Sequence, residues 1–248
     1  MKCLVPLSVL AAGVVAAPAA APAPVEDVSF PITDLLDSDL TMRQYTAQLQ
    51  AQKGAPLTKR QYNGDTFNQL TDGTACRPIS VIYARGTSGA GNVGEAGSEG
   101  PTFFNALASA LGGASQLAIQ GVNYSASVLG FLSGGDAAGT TTMFNLIGTT
   151  ATRCPSTKIV VAGYSQGAQL VHKSVQRLSA ANAARVNAVV TFGDADRDTG
   201  YGLVPTSKTI IFCHTGDNIC DNGIIITPAH QNYEQDASAA AAFVKTKV

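Results

Sequence analysis

Tryptophan is absent, aromatic residues make up only 6% of the 248, and charged residues only 13%. A charge so sparse and so balanced, −1 in formal net, leaves no basic stripe to hold nucleic acid, and no nucleic-acid partner is expected. There is no CxxC pair, and the one histidine beside a cysteine is His214, next to Cys213. That pattern argues against a metal site, and neither metal nor organic cofactor is expected. Beyond the N-terminus no long uncharged apolar run occurs, so no transmembrane segment is expected. There is no internal repeat. What is abundant is aliphatic content, with 45% hydrophobic residues, and glycine, with 25. The first opposes disorder and the second signals tight turns. The length admits one domain of about 150 to 200 residues plus processing segments.

The N-terminus carries such segments. Lys2 supplies a positive start, residues 3–17 are apolar, and small residues at Ala16 and Ala17 suit a signal peptidase. About 15 apolar residues are too few to span a bilayer. Residues 1–17 are therefore expected to be a signal peptide and the protein to be secreted. Residues 17–25 are rich in Pro and Ala and read as extended. Residues 33–53 read as helical, with Leu35, Leu36, Leu40, Tyr45 and Leu49 at roughly helical spacing. The dibasic Lys59-Arg60 before Gln61 predicts cleavage. Residues 18–60 are then a propeptide and residues 61–248 the folded domain. The alternative is that the segment stays as a lid over a hydrophobic rim. Cys3 leaves with the signal, and Cys76, Cys154, Cys213 and Cys220 remain. They allow three pairings in an oxidising compartment, of which 76 with 154 and 213 with 220 is the simplest.

From Cys76 onward β-rich runs alternate with helical stretches. Residues 79–84, 117–122, 158–162, 188–192 and 209–213 are short, β-branched and bounded by turn formers, as buried parallel strands are. Helices are expected near 101–111, 139–152, 166–184 and 234–246. Such alternation predicts an α/β fold, a parallel sheet between helices.

Gly163-Tyr164-Ser165-Gln166-Gly167 fits G-x-S-x-G, and its context carries more weight than the pattern. It follows the apolar run Ile159-Val160-Val161-Ala162 and precedes an amphipathic run with Ala168, Val171, Val175 and Leu178 on one face. Strand, sharp turn and helix are the setting of a nucleophile elbow, with Ser165 at its tip. The helix start behind Ser165 offers N–H groups and a positive dipole end to a developing oxyanion. Of three histidines, His172 lies on that helix and His214 follows a strand directly. His230 lies in a loop after Pro228, free to swing over the sheet edge, and so is the expected base. The order Ser, acid, His also selects it. The acid that orients its imidazole is expected at Asp217, between Cys213 and Cys220, where a short closed loop would hold the carboxylate. Asp194, at the end of the preceding strand, is the second choice and more naturally caps a turn.

Together with Tyr83-Ala84-Arg85-Gly86-Thr87, Gly91-Asn92-Val93-Gly94, Gly216-Asp217-Asn218-Ile219-Cys220 and Ala229-His230, this motif resembles the cutinase family of fungal esterases. The resemblance covers roughly residues 74–247, with the motifs in family order. It implies a small α/β-hydrolase with a central, mostly parallel five-stranded sheet flanked by helices on both faces. It also implies the triad Ser165, Asp217 and His230, and the disulfides Cys76–Cys154 and Cys213–Cys220. Further, it implies an oxyanion hole from the backbone N–H of Gln166 and from Thr87, where the family usually has Ser. Thr keeps the donor with a stiffer χ1.

One departure bears on substrate. Gln231 and Asn232 follow His230, and Ala229 precedes it, where the family often carries aliphatic residues. Hydrophobic rim material is expected instead from Tyr124, Val128, Leu129, Phe131, Leu132 and residues 224–226. Asn123-Tyr124-Ser125 is a glycosylation sequon in that rim. The expected activity is hydrolysis of carboxylic esters, cutin or related plant polyester foremost, by a monomer. The rivals are an acetylxylan esterase of the same fold and a secreted surface-binding protein without catalysis.

Overall fold

The structure, a computed structural model, describes residues 28–51 and 62–248. The signal-peptide reading of residues 1–17 and the dibasic Lys59-Arg60 lie outside the described residues. In chain order the elements are β1 (Phe30–Pro31), α1 (Met42–Ala51), β2 (Ile79–Ala84), α2 (Glu99–Ala110), β3 (Leu117–Gly121), α3 (Val128–Leu132) and α4 (Ala137–Arg153). They continue as β4 (Lys158–Tyr164), α5 (Gln166–Val175), α6 (Ala180–Arg185), β5 (Val186–Phe192), β6 (Thr209–Phe212), β7 (Ile225–Ile226) and α7 (Ala237–Lys245).

Five strands form one sheet in the order β3-β2-β4-β5-β6, every neighbouring pair parallel. The strands carry apolar residues on both faces because both faces are covered. Val160 and Ala162 of β4 meet Phe103, Phe104 and Leu107 of α2 and Val244 of α7. Ile159 and Val161 point the other way, to Met143 and Ile147 of α4 and to Leu170, Val171 and Val175 of α5. Each such Val, Leu, Ile, Phe or Met side chain contributes about 1.5–3 kcal/mol by leaving water. The expected five-stranded, mostly parallel sheet between helices is thus present.

Two expected helices are interrupted. The run 166–184 is α5 and α6, because Ser179 starts a new helix by accepting the N–H of Asn182 on its hydroxyl. The run 33–53 is a 3-10 turn at Ile32–Leu35 and then α1. Thr41 opens α1 with a capping box: its hydroxyl accepts the Gln44 N–H at 3.1 Å, and the Gln44 side-chain carbonyl accepts the Thr41 N–H at 2.9 Å.

Residues 28–51 form a strap across the domain. β1 pairs antiparallel with β7, and Phe30, Ile32, Leu35 and Met42 share an apolar cluster with Val128, Phe131, Ile219 and Ile226. The rim expected from the sequence is therefore divided. Val128, Phe131 and Ile226 are buried under the strap, whereas Leu129, Leu132, Ile224 and Ile225 are exposed with the strap's own Leu36. Tyr124 is no rim residue: its hydroxyl donates to the Arg85 carbonyl and its ring lies under the Arg85 guanidinium.

Cys76 is bonded to Cys154 and Cys213 to Cys220, with Cα–Cα separations of 5.6 and 6.0 Å. The first ties the approach to β2 to the end of α4. The second closes the turn that follows β6.

Candidate active site

Ser165 stands between β4 and α5 with φ 54° and ψ −121°, a strained conformation for a residue with a side chain. Its N–H donates to the Phe192 carbonyl at 2.9 Å, which ties the tip of the turn to β5. The flanking glycines are required by close backbone approach. A Cβ on Gly163 would lie 2.4 Å from the Gly167 carbonyl oxygen, and one on Gly167 would lie 2.0 Å from that of Ala84. The motif thus places a hydroxyl at the carboxyl edge of the sheet, where open α/β folds bind ligands.

His230 meets that hydroxyl. Its Nε2 is 3.0 Å from Ser165 Oγ, and its Nδ1 is 2.8 Å from Asp217 Oδ2. It does not swing free: it closes a 3-10 turn, Pro228–His230, and is fully buried. Tyr164 holds it, donating its phenol proton to the His230 carbonyl at 2.8 Å and stacking on the imidazole with centroids 5.2 Å apart. Asp217, inside the Cys213–Cys220 loop, accepts the Ile219 N–H on Oδ1 at 2.9 Å. Burial alone would raise its carboxyl, but the bonds and charge from His230, with the bonds from Tyr233 and the Ile219 N–H, outweigh that and hold it below the ordinary carboxylate range.

The other histidines are engaged elsewhere. His172 Nε2 lies 2.8 Å from Asp194 Oδ2, and Asp194 Oδ1 accepts the Asp196 N–H in a turn. His214 Nε2 lies 2.6 Å from Asp236 Oδ2. Asp194 therefore belongs to a buried network behind the sheet edge and does not reach His230.

Thr87 and Gln166 come together. The Gln166 side-chain amide donates to Thr87 Oγ1 and to the Ser127 carbonyl, both at 2.9 Å. Thr87 Oγ1 is thus an acceptor toward Gln166 and keeps its own proton for another partner. Arg85 steadies the same loop, donating from Nε to the Gly89 carbonyl at 2.6 Å and from Nη2 to that of Tyr124 at 2.9 Å.

A cavity of about 740 Å³ adjoins this arrangement, walled by Met42 and Arg43 of the strap and by Thr87, Glu99 and Tyr164 of the domain. Glu99 is buried, and its carboxyl is raised to about 8, first by desolvation and then by the charge of Glu234, against the pull of Arg43. The strap is also bonded here: Thr41 Oγ1 donates to Glu95 Oε1 at 2.9 Å, and Thr46 Oγ1 donates to Gln231 Oε1.

Sequence reasoning missed Tyr164 and Tyr233 as partners of the histidine and the acid. Only the position of Tyr164 inside the G-x-S-x-G motif could have hinted at the first. It also placed the strap no further than a lid alternative.

A serine at a strained strand-to-helix turn, beside a histidine and a buried carboxylate, on a parallel sheet between helices, defines an α/β-hydrolase. The family model for cutinase matches residues 75–248. The cutinase CUT2 of Pyricularia oryzae is 47% identical over 197 residues, 77% of this chain and 90% of the relative. A solved structure, Trichoderma reesei cutinase in complex with a C11Y4 phosphonate inhibitor, aligns at TM-score 0.72 and 38% identity over 87% of this chain and 91% of that one. The catalytic core domain of acetyl xylan esterase from Trichoderma reesei aligns at TM-score 0.54 and 22% identity over 70% of this chain and 100% of its own, a likeness of fold alone. The chain belongs to the cutinase family and is a serine carboxylic ester hydrolase.

Proposed function

We propose that the protein is a secreted, monomeric esterase that cleaves carboxylic esters, cutin polyester foremost, through Ser165, His230 and Asp217. The observation that carries this is the hydrogen-bonded chain from Ser165 Oγ through both nitrogens of His230 to Asp217 Oδ2. His230 Nε2 takes the proton of Ser165 as Oγ attacks the ester carbonyl, and Asp217 holds the ring and supports its charge. The carbonyl π electrons move to its oxygen, which the backbone N–H of Gln166 and the N–H and hydroxyl of Thr87 receive. The tetrahedral species collapses, the C–O bond to the alcohol breaks, and the alcohol leaves with the proton from His230. Water then attacks the acyl-serine, giving a proton to His230, and the acid departs as Ser165 regains its own.

Residues 28–51 act as a cover in this reading, since all three side chains are buried and the strap's Met42 touches Tyr164, the neighbour of Ser165. A polymer chain reaches Ser165 only once the strap shifts or is removed. Exposed Leu129, Leu132, Ile224 and Ile225 then face the substrate surface.

A fluorophosphonate probe should label Ser165 and leave Ser165→Ala unlabelled. That variant should fold normally and lose several orders of magnitude in kcat, keeping about 10³-fold catalysis over water. Full ester hydrolysis by Ser165→Ala would overturn the mechanism. Release of acetate from acetylated xylan in preference to hydroxy fatty acids from cutin would replace the substrate.

A further inference from the structure

We infer that Tyr233 is a positioning residue for Asp217, and that its phenol proton tempers the basicity of His230. The inference rests on the reading of Ser165, His230 and Asp217 as the catalytic chain.

Tyr233 begins the 3-10 turn Tyr233–Asp236 that leads into α7, and it is fully buried. Its hydroxyl donates to Asp217 Oδ2 at 2.7 Å, the same oxygen that receives His230 Nδ1 at 2.8 Å. The phenol oxygen in turn accepts the backbone N–H of His214 at 2.8 Å. With its lone pair occupied on that side, the hydroxyl is oriented and its proton is directed at the carboxylate. The ring is clamped as well. The His214 imidazole stacks on it at 4.1 Å and 21°, and His230 meets it edge-on at 6.2 Å and 84°. His214 is itself anchored, with Nε2 at Asp236 and Nδ1 3.0 Å from the Ala229 carbonyl.

Asp217 therefore receives three donors, one on Oδ1 and two on Oδ2. Two donors on one oxygen share its negative charge, so less of that charge serves the imidazolium than if His230 were its sole partner. Desolvation first, and the bond to Asp217 next, raise the Tyr233 phenol, which stays protonated and donating throughout the working range. The titratable groups around it are Asp217, His230, His214, Asp236 and Tyr164.

The sign follows. Without the phenol proton, Asp217 is a stronger partner for the imidazolium, and His230 keeps its proton to higher pH. Asp217, short of one donor, also protonates more readily. Both effects move the acid limb of the kcat/KM profile upward.

The test is Tyr233→Phe, assayed on a soluble short-chain ester across pH. Expected are a fall in kcat of about tenfold, little change in KM, and an upward shift of the acid limb on the order of half a pH unit. A second protein carries 3-fluorotyrosine at position 233, a stronger donor in nearly the same shape, and its acid limb should move downward. An unmoved limb in both proteins overturns the inference, even if Tyr233→Phe lowers kcat or melting temperature, because a packing role alone would do that. If Tyr233→Phe does not fold, the direction of the fluorotyrosine shift decides alone. The Ser165→Ala assay fails or succeeds independently of this result.

Discussion

The Gln166 side-chain amide donates to Thr87 Oγ1 at 2.9 Å, so the residue after the nucleophile sets the hydroxyl of the loop across from it. On the proposed mechanism, the Thr87 hydroxyl accepts from Gln166 and keeps its own proton for the oxyanion. In that proposal the backbone N–H of Gln166 receives the charge directly and its side chain acts through Thr87.

Thr87→Val keeps the shape and the backbone N–H but deletes that proton. It should lower kcat by about a hundredfold while leaving KM nearly unchanged, as expected for a donor used only in the transition state. Thr87→Ser should retain most of the rate. Steady-state kinetics on a soluble ester check both, and equal rates for Val and Ser would remove the hydroxyl from the mechanism.

Glu99 makes stability depend on pH in an unusual direction. Its folded value is about 8 and its ordinary value is 4.5. Between those values the native state binds a proton that the unfolded chain has released, so stability contributed by this group falls as pH rises through the window. Glu99→Gln removes the titration. Its melting temperature should exceed that of the parent near pH 8, and the gap should close toward pH 4.5. Thermal melts across that range check it, and a gap that does not change with pH would count against the raised value.

The strap gives a third expectation. On the propeptide reading, cleavage after Lys59-Arg60 would free residues 28–51 from the domain, and the secreted protein should begin at Gln61. The Lys59→Ala/Arg60→Ala double variant should be secreted in a longer form and be labelled more slowly by a fluorophosphonate. N-terminal sequencing and labelling rates measure this. A start near residue 18 in the parent would leave the strap as a permanent lid.

Much of the scaffold was legible because its signals are local. Residues 81–84 and 159–162 are unbroken apolar runs, and an unbroken run means burial on both faces. The serine at 165 is legible because strain and close approach demand glycine at 163 and 167. The break in the 166–184 helix was less visible, since Ser179 is unremarkable until its hydroxyl is seen at the Asn182 N–H. Thr41 and Gln44 did carry a readable capping signature, which the apolar spacing on either side of it masked. Tyr233 was not legible. Its meaning lies in a contact with Asp217 sixteen residues away, and a lone tyrosine ahead of a helix reads as packing. The rim was half legible: residues 128–132 and 224–226 are apolar, but only packing decides which of them the strap buries.

The pairing of β1 with β7 has a consequence for the molecule as a colloid. While the strap is seated, Ile225 and Ile226 have a strand partner and Val128, Phe131, Ile219 and Ile226 are dry. Unseating it bares that apolar cluster and a short unpaired strand edge in a single patch, a few residues ahead of His230. On the proposed reading, the form that admits substrate would also be the stickier one. If the segment departs as proposed, solubility before and adhesion after would be properties of the same chain.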